Sequence, residues 1–372
     1  MLDKTIIIFS GFNQRAVVAF LRTLKAKRLS YAIIAKSNDD TIFQTDYKTN
    51  VLTTRKSVPL VFDDLLARIK EVQKKMKANK YVIAPSSEAL NRFLLQRRMN
   101  FEDLGCEIPL VDKELYELIS DKYSFYQLCQ QHKICVPKKL TLGSKFSLPI
   151  VAKPKNYFSS LTGEILSPVI LQNASERDEF FTKYNVKDFY FQEFVHGKSF
   201  YLLYYFHRNG NLFKFSQKNI AQQPEGKSIV SAVSSNFHHS GESFKYEQLF
   251  KTLKFFGLVM VEVKQDGGKY CMIEANPRFW GPSQLFVDAG MNFFEAFLHD
   301  FGVSKTLPLF LDPKKKFKYF WFGGVLETLK QQKQLTYYHG NEINLMDELP
   351  LWLQSDVYRR IDAFDVFKKE LF

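Results

Sequence analysis

The stretch that decides the fold is GLVMVEVKQDGGKYCMIEANPRFWGP, residues 257–282. Two runs rich in β-branched and apolar residues, 259–264 and 270–275, are separated by an Asp-Gly-Gly sequence at 266–268. Strand-like runs joined by such a short glycine-containing segment are typical of a β-hairpin.

Alternation along the first strand puts Met260 and Glu262 on one face and three valines on the other. On the second strand Glu274 and Asn276 share a face, so the hairpin can bring them beside Glu262. Two carboxylates and an amide oxygen, with no histidine or thiol, form an oxygen ligand set suited to Mg²⁺ or Mn²⁺. Arg278 follows, placed to bind a phosphate or acyl-phosphate oxygen with its forked guanidinium. Alone, the carboxylates also fit solvent-facing positions of an edge hairpin.

The residues after Met272 favour the metal site. IEANPRFWGPSQLFVDAGMNF, residues 273–293, resembles the ATP-grasp superfamily, specifically carboxylate–amine ligases of the carbamoyl-phosphate-synthetase-like group. These enzymes carry an E-x-N-P-R signature in which Glu and Asn bind Mg²⁺ and Arg contacts phosphate. The resemblance implies these roles for Glu274, Asn276 and Arg278, and it implies that Glu262 is the other metal carboxylate.

Upstream segments resemble the same family in the expected order. Asp121-Lys122 is similar to an element whose lysine reaches the nucleotide phosphates. Lys153 resembles the second phosphate-binding lysine and, with Arg278, is the implied catalytic pair. The segment 156–163, NYFSSLTG, falls where the family has its mobile small-residue loop over the triphosphate, which implies phosphate contacts for Ser159, Ser160 and Gly163.

FQEFVHGKS, residues 191–199, resembles the interdomain hinge of the family. There the resemblance implies that Gln192 or Glu193, with the backbone of Phe194 and Val195, contacts the adenine. Ser199 stands where many members have a ribose-binding glutamate. Two more departures are Met260, where some ligases have an arginine, and the loop 156–163, which has fewer glycines than usual.

The rest of the chain predicts α/β and α+β architecture. Strands at 5–9, 31–35 and 81–84 alternate with helices at 15–24 and 61–76, which predicts a doubly wound parallel sheet. Gly11 stands alone, without a GxGxxG pattern, and indicates a tight turn. From residue 113 antiparallel hairpins dominate, with a polar loop at 221–228 and a helix at 246–256.

The resulting organisation has three parts. We expect a Rossmann-like pre-ATP-grasp domain over 1–112, a two-subdomain ATP-grasp domain over 113–305 with its hinge near 191–199, and a C-terminal extension over 306–372. Substrate pockets in this family come from variable loops and the N-terminal domain, so Glu88 and the loop 221–228 are candidates for substrate contacts.

Composition limits the classes of function. The formal charge of +13 suits an anionic partner, but the basic residues are dispersed and the cluster at 314–318 fits a solvated loop, so no nucleic-acid partner is expected. Four cysteines without CxxC spacing indicate reduced thiols in a cytoplasmic protein, and no apolar run predicts a membrane span. His238 and His239 are adjacent, and adjacent residues of a strand point to opposite faces, which favours a polar loop over a metal site.

The resemblance implies an ATP-dependent carboxylate–amine ligase that works through an acyl phosphate and releases ADP and phosphate. Its partners would be a small-molecule carboxylate and an amine, with amino acids among the candidates. The alternatives are a nucleotide-binding regulator with a degenerate ligase site and, through the charge, a nucleic-acid binder. The sequence leaves the oligomeric state open, including a homo-oligomer.

Overall fold

The computed structural model describes residues 2–141, 147–338 and 342–372. The strands in chain order are β1 (Leu2–Phe9), β2 (Tyr31–Ala35), β3 (Val51–Thr54), β4 (Ala78–Ile83), β5 (Cys106–Glu107), β6 (Lys139–Leu140), β7 (Ile150–Pro154), β8 (Val169–Leu171), β9 (Phe189–Glu193), β10 (Lys198–Phe206), β11 (Leu212–Gln222), β12 (Ile229–Ser235), β13 (Gly257–Asp266), β14 (Lys269–Asn276), β15 (Lys318–Phe320) and β16 (Thr336–Tyr337).

The helices surround these strands and cover their faces. In chain order they are α1 (Gln14–Ala26), α2 (Phe62–Lys75), α3 (Glu88–Gln96), α4 (Arg98–Glu102), α5 (Lys113–Ser120), α6 (Lys122–Gln131), α7 (Ala174–Lys183), α8 (Gly241–Thr252), α9 (Gln284–Asp288), α10 (Phe293–Asp300), α11 (Phe322–Lys330), α12 (Glu342–Asp347), α13 (Leu349–Leu353) and α14 (Phe364–Leu371). Among the described residues, none of these helices combines the length and apolar character needed to cross a membrane.

The N-terminal part forms a parallel sheet in the order β3-β2-β1-β4-β5. The central strand β1 is buried on both faces, and its residues 6–8, three consecutive isoleucines, are fully shielded from solvent. A continuous apolar run is what a parallel strand needs when helices cover both faces of its sheet. The predicted doubly wound sheet is confirmed.

Two antiparallel sheets follow. The smaller has the order β6-β9-β7-β8 and packs with α7 around its own apolar cluster. The larger has the order β14-β13-β10-β11-β12-β15, with β16 paired to β11. One face of this larger sheet packs among residues of α5, α6 and α8, and the opposite face packs among residues of α1, α9 and α10. The prediction of antiparallel hairpins after residue 113 is confirmed.

Residues 306–372 contribute to the same core instead of projecting from it. Strand β15 extends the larger sheet beside β12. Asp362 accepts hydrogen bonds from the Arg22 guanidinium at 2.9 Å and from the Tyr47 hydroxyl at 2.6 Å, so it joins the C-terminal segment to the elements around the N-terminal parallel sheet. The division of the chain into three domains stays a prediction.

Two predicted boundaries were wrong. The helix expected at 246–256 is α8, which begins at Gly241 because the Ser240 hydroxyl accepts from the Ser243 N–H at 3.2 Å and caps it. The expected polar loop 221–228 is shorter than predicted, because β11 continues to Gln222 and a 3₁₀ turn occupies Pro224–Gly226.

Candidate active site

The predicted hairpin is strands β13 and β14, joined by Gly267 and Gly268. Both glycines have positive φ, 52° and 81°, as a two-residue turn that matches strand twist requires. The resulting register places Glu262 directly opposite Glu274, and Met260 opposite Asn276. The hairpin therefore brings the three predicted metal ligands together. Like charges directly opposite each other destabilise a sheet, so this pair needs compensation.

Lys122 and Asn276 compensate Glu274. The Lys122 ammonium, at the first residue of α6, donates to Oε2 of Glu274, and the Asn276 amide donates to Oε1 at 2.8 Å. Burial alone would raise the pKa of Glu274, but the charge and hydrogen bond of Lys122 lower it to about 2. Glu274 is thus held as a carboxylate.

Glu262 has a different environment. Its side chain is only 5% exposed, and its Oε1 accepts from the Ser199 hydroxyl at 3.0 Å. The Asn219 amide in turn donates to Ser199 at 2.8 Å. Burial raises the pKa of Glu262, Lys264 opposes that rise and Glu274 adds to it. Ser199 thus supports a predicted metal ligand, and its predicted role as a cofactor-binding residue stays a prediction.

Lys153 lies beside the same hairpin. It is 6% exposed at the end of β7, and its ammonium donates to the backbone carbonyl of Ile273 at 2.6 Å. Burial, and then the charge of Lys122, lower the pKa of Lys153 to about 7, against the opposing effect of the two glutamates. A buried lysine with one carbonyl acceptor among the described residues still has N–H donors to offer to an anion.

Arg278 is held next to Asn276. Its guanidinium donates to the Phe279 carbonyl at 3.0 Å and to Asn276 Oδ1 at 3.4 Å, and its Nε lies 3.6 Å from Glu88. Glu88 is fixed by the Tyr116 hydroxyl at 2.9 Å. Glu88, a candidate for substrate contact in the sequence, therefore positions Arg278.

A cavity of about 470 Å³ lies between the smaller and the larger antiparallel sheets, with Lys153, Glu262 and Glu274 among its lining residues. Gln192 also lines it, 1% exposed, and its Oε1 has no hydrogen-bond partner among the described residues. We call this space the first cavity. Its volume is in the range of small-molecule sites.

The predicted hinge forms one wall of the first cavity. Phe194 and Val195 line it directly after β9 ends, outside the strand ladder. The Glu193 carboxylate is exposed and accepts from the Lys138 backbone N–H at 3.0 Å. Polar backbone groups that no strand pairs are available to a ligand, so the hinge suits backbone recognition, and the side chain of Glu193 is already used.

The small-residue loop lies apart from this lining. Ser159 donates to Asp188 at 2.8 Å, Ser160 also donates to Asp188, and Gly163 has a φ of 68° in the turn. An isolated antiparallel bridge between Phe158 and Ile165 closes the loop. In this structure the two serines tether the loop to Asp188, and their predicted phosphate contacts stay a prediction.

A second cavity, of about 440 Å³, lies on the other side of Glu274. It is lined by Arg15, Lys227, Arg278, Trp280 and further residues of β10, β13, β14 and the segment that leads from β11 into β12. Trp280 is buried, and its indole N–H has no partner among the described residues. Gly226, Lys227 and Glu274 line both cavities, so the two spaces meet at Glu274.

Sequence reasoning missed two cationic residues of the second cavity. Arg15 lies on α1, stacked 3.7 Å from the centroid of Trp321 and donating to the Ser228 hydroxyl at 2.8 Å. Lys227 belongs to the segment predicted as a polar loop, and only its membership of that segment pointed to the site. No local pattern marks Arg15, because its partners are more than 200 residues away in the chain.

Known structures share this arrangement of sheets. N5-Carboxyaminoimidazole synthetase from Staphylococcus aureus, solved with ADP, is similar over 89% of this chain and 86% of its own, with TM-score 0.62 and 14% identity. Biotin carboxylase from Campylobacter jejuni, in a β,γ-ATP complex, matches 85% of this chain and 75% of its own, with TM-score 0.62 and 12% identity.

A third similar structure is the biotin carboxylase domain dimer of Hydrogenobacter thermophilus 2-oxoglutarate carboxylase with MgADP, ADP and bicarbonate. It matches 85% of this chain and 73% of its own, with TM-score 0.61 and 13% identity. No family model and no curated protein matches the chain by sequence. At these identities the likeness defines the fold: the chain has the ATP-grasp fold, as the resemblance implied.

Proposed function

We propose that this protein is an ATP-dependent carboxylate–amine ligase that forms an amide or peptide-like bond through an acyl phosphate. The observation that carries the proposal is the meeting of two cavities at Glu274. Lys153, Glu262 and the hinge line the first cavity, and Arg278 lines the second. A phosphate donor in the first cavity and an acceptor acid in the second would lie on either side of one cluster of charges.

The first cavity fits ATP. Gln192, with its unpartnered amide oxygen, suits an exocyclic amine, and the backbone at Phe194 and Val195 suits the edge of an adenine ring. Lys153, which lines this cavity, and Lys122, which is paired with Glu274, offer ammonium groups near the carboxylates, where phosphates would bind. Three similar structures were solved with ADP, MgADP or an ATP complex, which supports this assignment.

The donor set also fits a hard divalent cation. Glu262, Glu274 and the Asn276 amide oxygen would hold Mg²⁺ or Mn²⁺, because all three offer oxygen and no soft ligand is part of the set. When bound, such an ion offsets the negative charge of the phosphates. The Asn276 amide and the Lys122 ammonium already contact the Glu274 oxygens that would bind the cation. Cation binding would therefore replace these two contacts.

The reaction would proceed in two balanced steps. A carboxylate oxygen of the acid bonds to the γ-phosphorus as the bond to the β–γ bridging oxygen breaks, which releases ADP. The amine nitrogen then bonds to the acyl carbon, phosphate leaves, and the nitrogen loses a proton to solvent. Arg278 and Lys153 would hold the transferred phosphoryl group, and positioning of this kind supplies most of the catalysis in phosphoryl transfer.

The second cavity supports an acidic substrate. Arg15, Lys227 and Arg278 give its wall three positive charges, and the unpartnered Trp280 N–H is a further donor. The cavity also has apolar surface from Met260 and Ile229. A small acid with a second polar or anionic group therefore suits it better than a purely apolar acid.

A screen for substrate-dependent ADP release tests the function. Candidate acids, including bicarbonate because one similar structure holds it, are offered with ATP, Mg²⁺ and a panel of amines. We expect ADP release only with the right acid, supported by Mg²⁺ or Mn²⁺ and not by Zn²⁺. ATP binding without ADP release for any acid would favour the alternative function, a nucleotide-binding regulator. That alternative is motivated by Met260, which stands where some ligases have an arginine.

The hinge gives a separate prediction. If the backbone at Phe194 and Val195 recognises adenine, Val195→Pro removes an N–H that donates to the base. The variant should bind ATP about tenfold or more weakly, because a hydrogen bond contributes about 1 kcal/mol and the acceptor on the base is left unsatisfied. Glu193→Gln is the matched control. Its oxygen can still accept from Lys138, so its ATP affinity should be unchanged.

Isothermal titration calorimetry with ATP and with GTP measures both variants. The assignment also predicts a preference for ATP over GTP in the unmodified protein. Equal ATP affinity for the unmodified protein and Val195→Pro, with both variants folded by circular dichroism, would contradict the hinge assignment.

A further inference from the structure

A second cluster of ligand-type side chains lies outside the two cavities. His238 and His239 belong to the single 3₁₀ turn Phe237–His239 between β12 and α8. The polar loop expected from the sequence is this turn, so the argument that adjacent strand residues point to opposite faces does not apply here. Their ring centroids are 4.1 Å apart, and both Nε2 atoms face the carboxylate of Asp312, at 3.1 Å and 2.8 Å.

From this geometry we propose that His238, His239 and Asp312 bind a transition-metal ion, with Zn²⁺ the best match. Their three ligand atoms lie within 4.8 Å of one another. Zn–N and Zn–O bonds of about 2.0–2.2 Å in a tetrahedral site separate neighbouring ligand atoms by about 3.3 Å. The two nitrogen–oxygen separations involve different oxygens, Oδ1 for His238 at 3.1 Å and Oδ2 for His239 at 2.8 Å. Side-chain rotations that bring one of these oxygens to about 3.3 Å from both nitrogens would admit the ion.

The hydrogen bonds around His238 orient it as a ligand. Its side chain is 1% exposed, and its Nδ1 lies 2.8 Å from the Ser216 hydroxyl. That hydroxyl also lies 2.8 Å from the Ser235 carbonyl, and in the tautomer in which it donates to this carbonyl, Nδ1–H donates to Ser216. In the neutral ring, Nε2 then directs a lone pair at an oxygen of Asp312, so two acceptors face and repel each other. A cation bound between them would remove this repulsion. Metal-binding histidines commonly have such an outer partner.

The chemistry of this cluster differs from that of the carboxylate site. Two imidazoles and one carboxylate favour zinc and its neighbours, whereas an all-oxygen set favours Mg²⁺. His239 and Asp312 are about half exposed, 51% and 50%, so an ion can enter from solvent and keep a water ligand. The nearby ammonium of Lys214 is paired with Glu247 at 2.8 Å, which limits its repulsion of a cation.

The cluster lies on the opposite face of the larger sheet from Glu262. Gln217 on β11 pairs with Tyr201, which pairs with Glu262. Ser216, the neighbour of Gln217, points to the other face, and His238 bonds to it. A metal here would join the connection between α10 and β15, which carries Asp312, to the turn between β12 and α8. Its role is therefore structural and separate from the proposed ligase chemistry.

The test is a titration of the chelator-treated full-length protein with Zn²⁺ alone, followed by calorimetry and thermal unfolding. We expect one equivalent to bind at this site and to raise the melting temperature. His239→Ala removes an exposed ligand and should weaken binding by more than the 10- to 100-fold that loss of an outer partner costs. Ser216→Ala should fall within that range. His132→Ala, an exposed histidine at the end of α6, is the matched control and should bind as the unmodified protein does.

Cobalt(II) absorption distinguishes the ligands. The proposal predicts visible bands of a tetrahedral nitrogen–oxygen site without thiolate charge transfer. The Sγ atoms of Cys135 and Cys271 lie 2.6 Å apart and could bind zinc instead. Zn²⁺ binding that survives His239→Ala and disappears in Cys135→Ser would assign the metal to that thiol pair and overturn the proposal. Absence of saturable Zn²⁺ binding would overturn it as well, whatever the outcome of the ligase assays.

Discussion

Glu274→Gln is expected to abolish ADP formation with the substrates found by the screen, by about 10³-fold or more. Metal-assisted charge stabilisation contributes several kcal/mol to phosphoryl transfer, and each 1.36 kcal/mol is tenfold in rate. The change keeps the size of the side chain and one oxygen toward Asn276, but it removes the charge that Lys122 and the cation both require. We therefore expect loss of activity and loss of Mg²⁺-dependent nucleotide binding together.

Asp266→Asn is the matched control for this variant. It makes the same chemical change on the same hairpin, at an exposed position beside the turn. We expect it to retain full activity. Both variants should fold, because the apolar face of the hairpin, with Val261 and Val263, is unchanged. Circular dichroism and the melting temperature check this expectation. A fully active Glu274→Gln protein would remove the carboxylate site from the account.

Arg278→Lys should lower the rate of turnover by about 10²–10³-fold while ATP affinity changes little. Preorganised donors at a developing charge have this effect on rate. Lysine keeps the positive charge but loses the planar fork that donates at once to the Phe279 carbonyl and toward Asn276. Because Arg278 lines the second cavity and not the first, the acid should be affected more than the nucleotide.

Steady-state kinetics and ATP calorimetry separate the two effects. Arg208→Lys is the control: its guanidinium is held by Asp300 at 3.1 Å, distant in sequence from the site, and its replacement should leave the rate unchanged. A parallel fall in ATP affinity and rate for Arg278→Lys would mean that Arg278 binds the nucleotide, contrary to its place in the second cavity.

The parts predicted from sequence share one property: they depend on residues close together in the chain. The pairing of Glu262 with Glu274 follows from strand alternation and a glycine turn, both of which act over a few residues. The parallel strands were found from apolar runs such as that of β1. The ATP-grasp resemblance in turn added the order of the lysines and the hinge.

The parts that sequence reasoning missed depend on distant contacts. Ser199 reaches Glu262 across a strand pair, and Arg15 reaches Ser228 from the N-terminal domain. Neither contact leaves a local pattern. The proximity of the two histidine rings could not be predicted for a different reason, because it depends on the backbone conformation. A 3₁₀ turn brings adjacent side chains together, whereas a strand would separate them.

The proposed reaction transfers the γ-phosphoryl group of ATP to a carboxylic acid. Trapping of the resulting acyl phosphate with hydroxylamine tests this transfer. With ATP, Mg²⁺ and the acid from the screen, hydroxylamine replaces the amine and converts an acyl phosphate to a hydroxamate. The account predicts hydroxamate and ADP in equal amounts, and neither product from Glu274→Gln. Formation of AMP and pyrophosphate with the same acid would instead indicate an adenylated intermediate and contradict the proposed reaction.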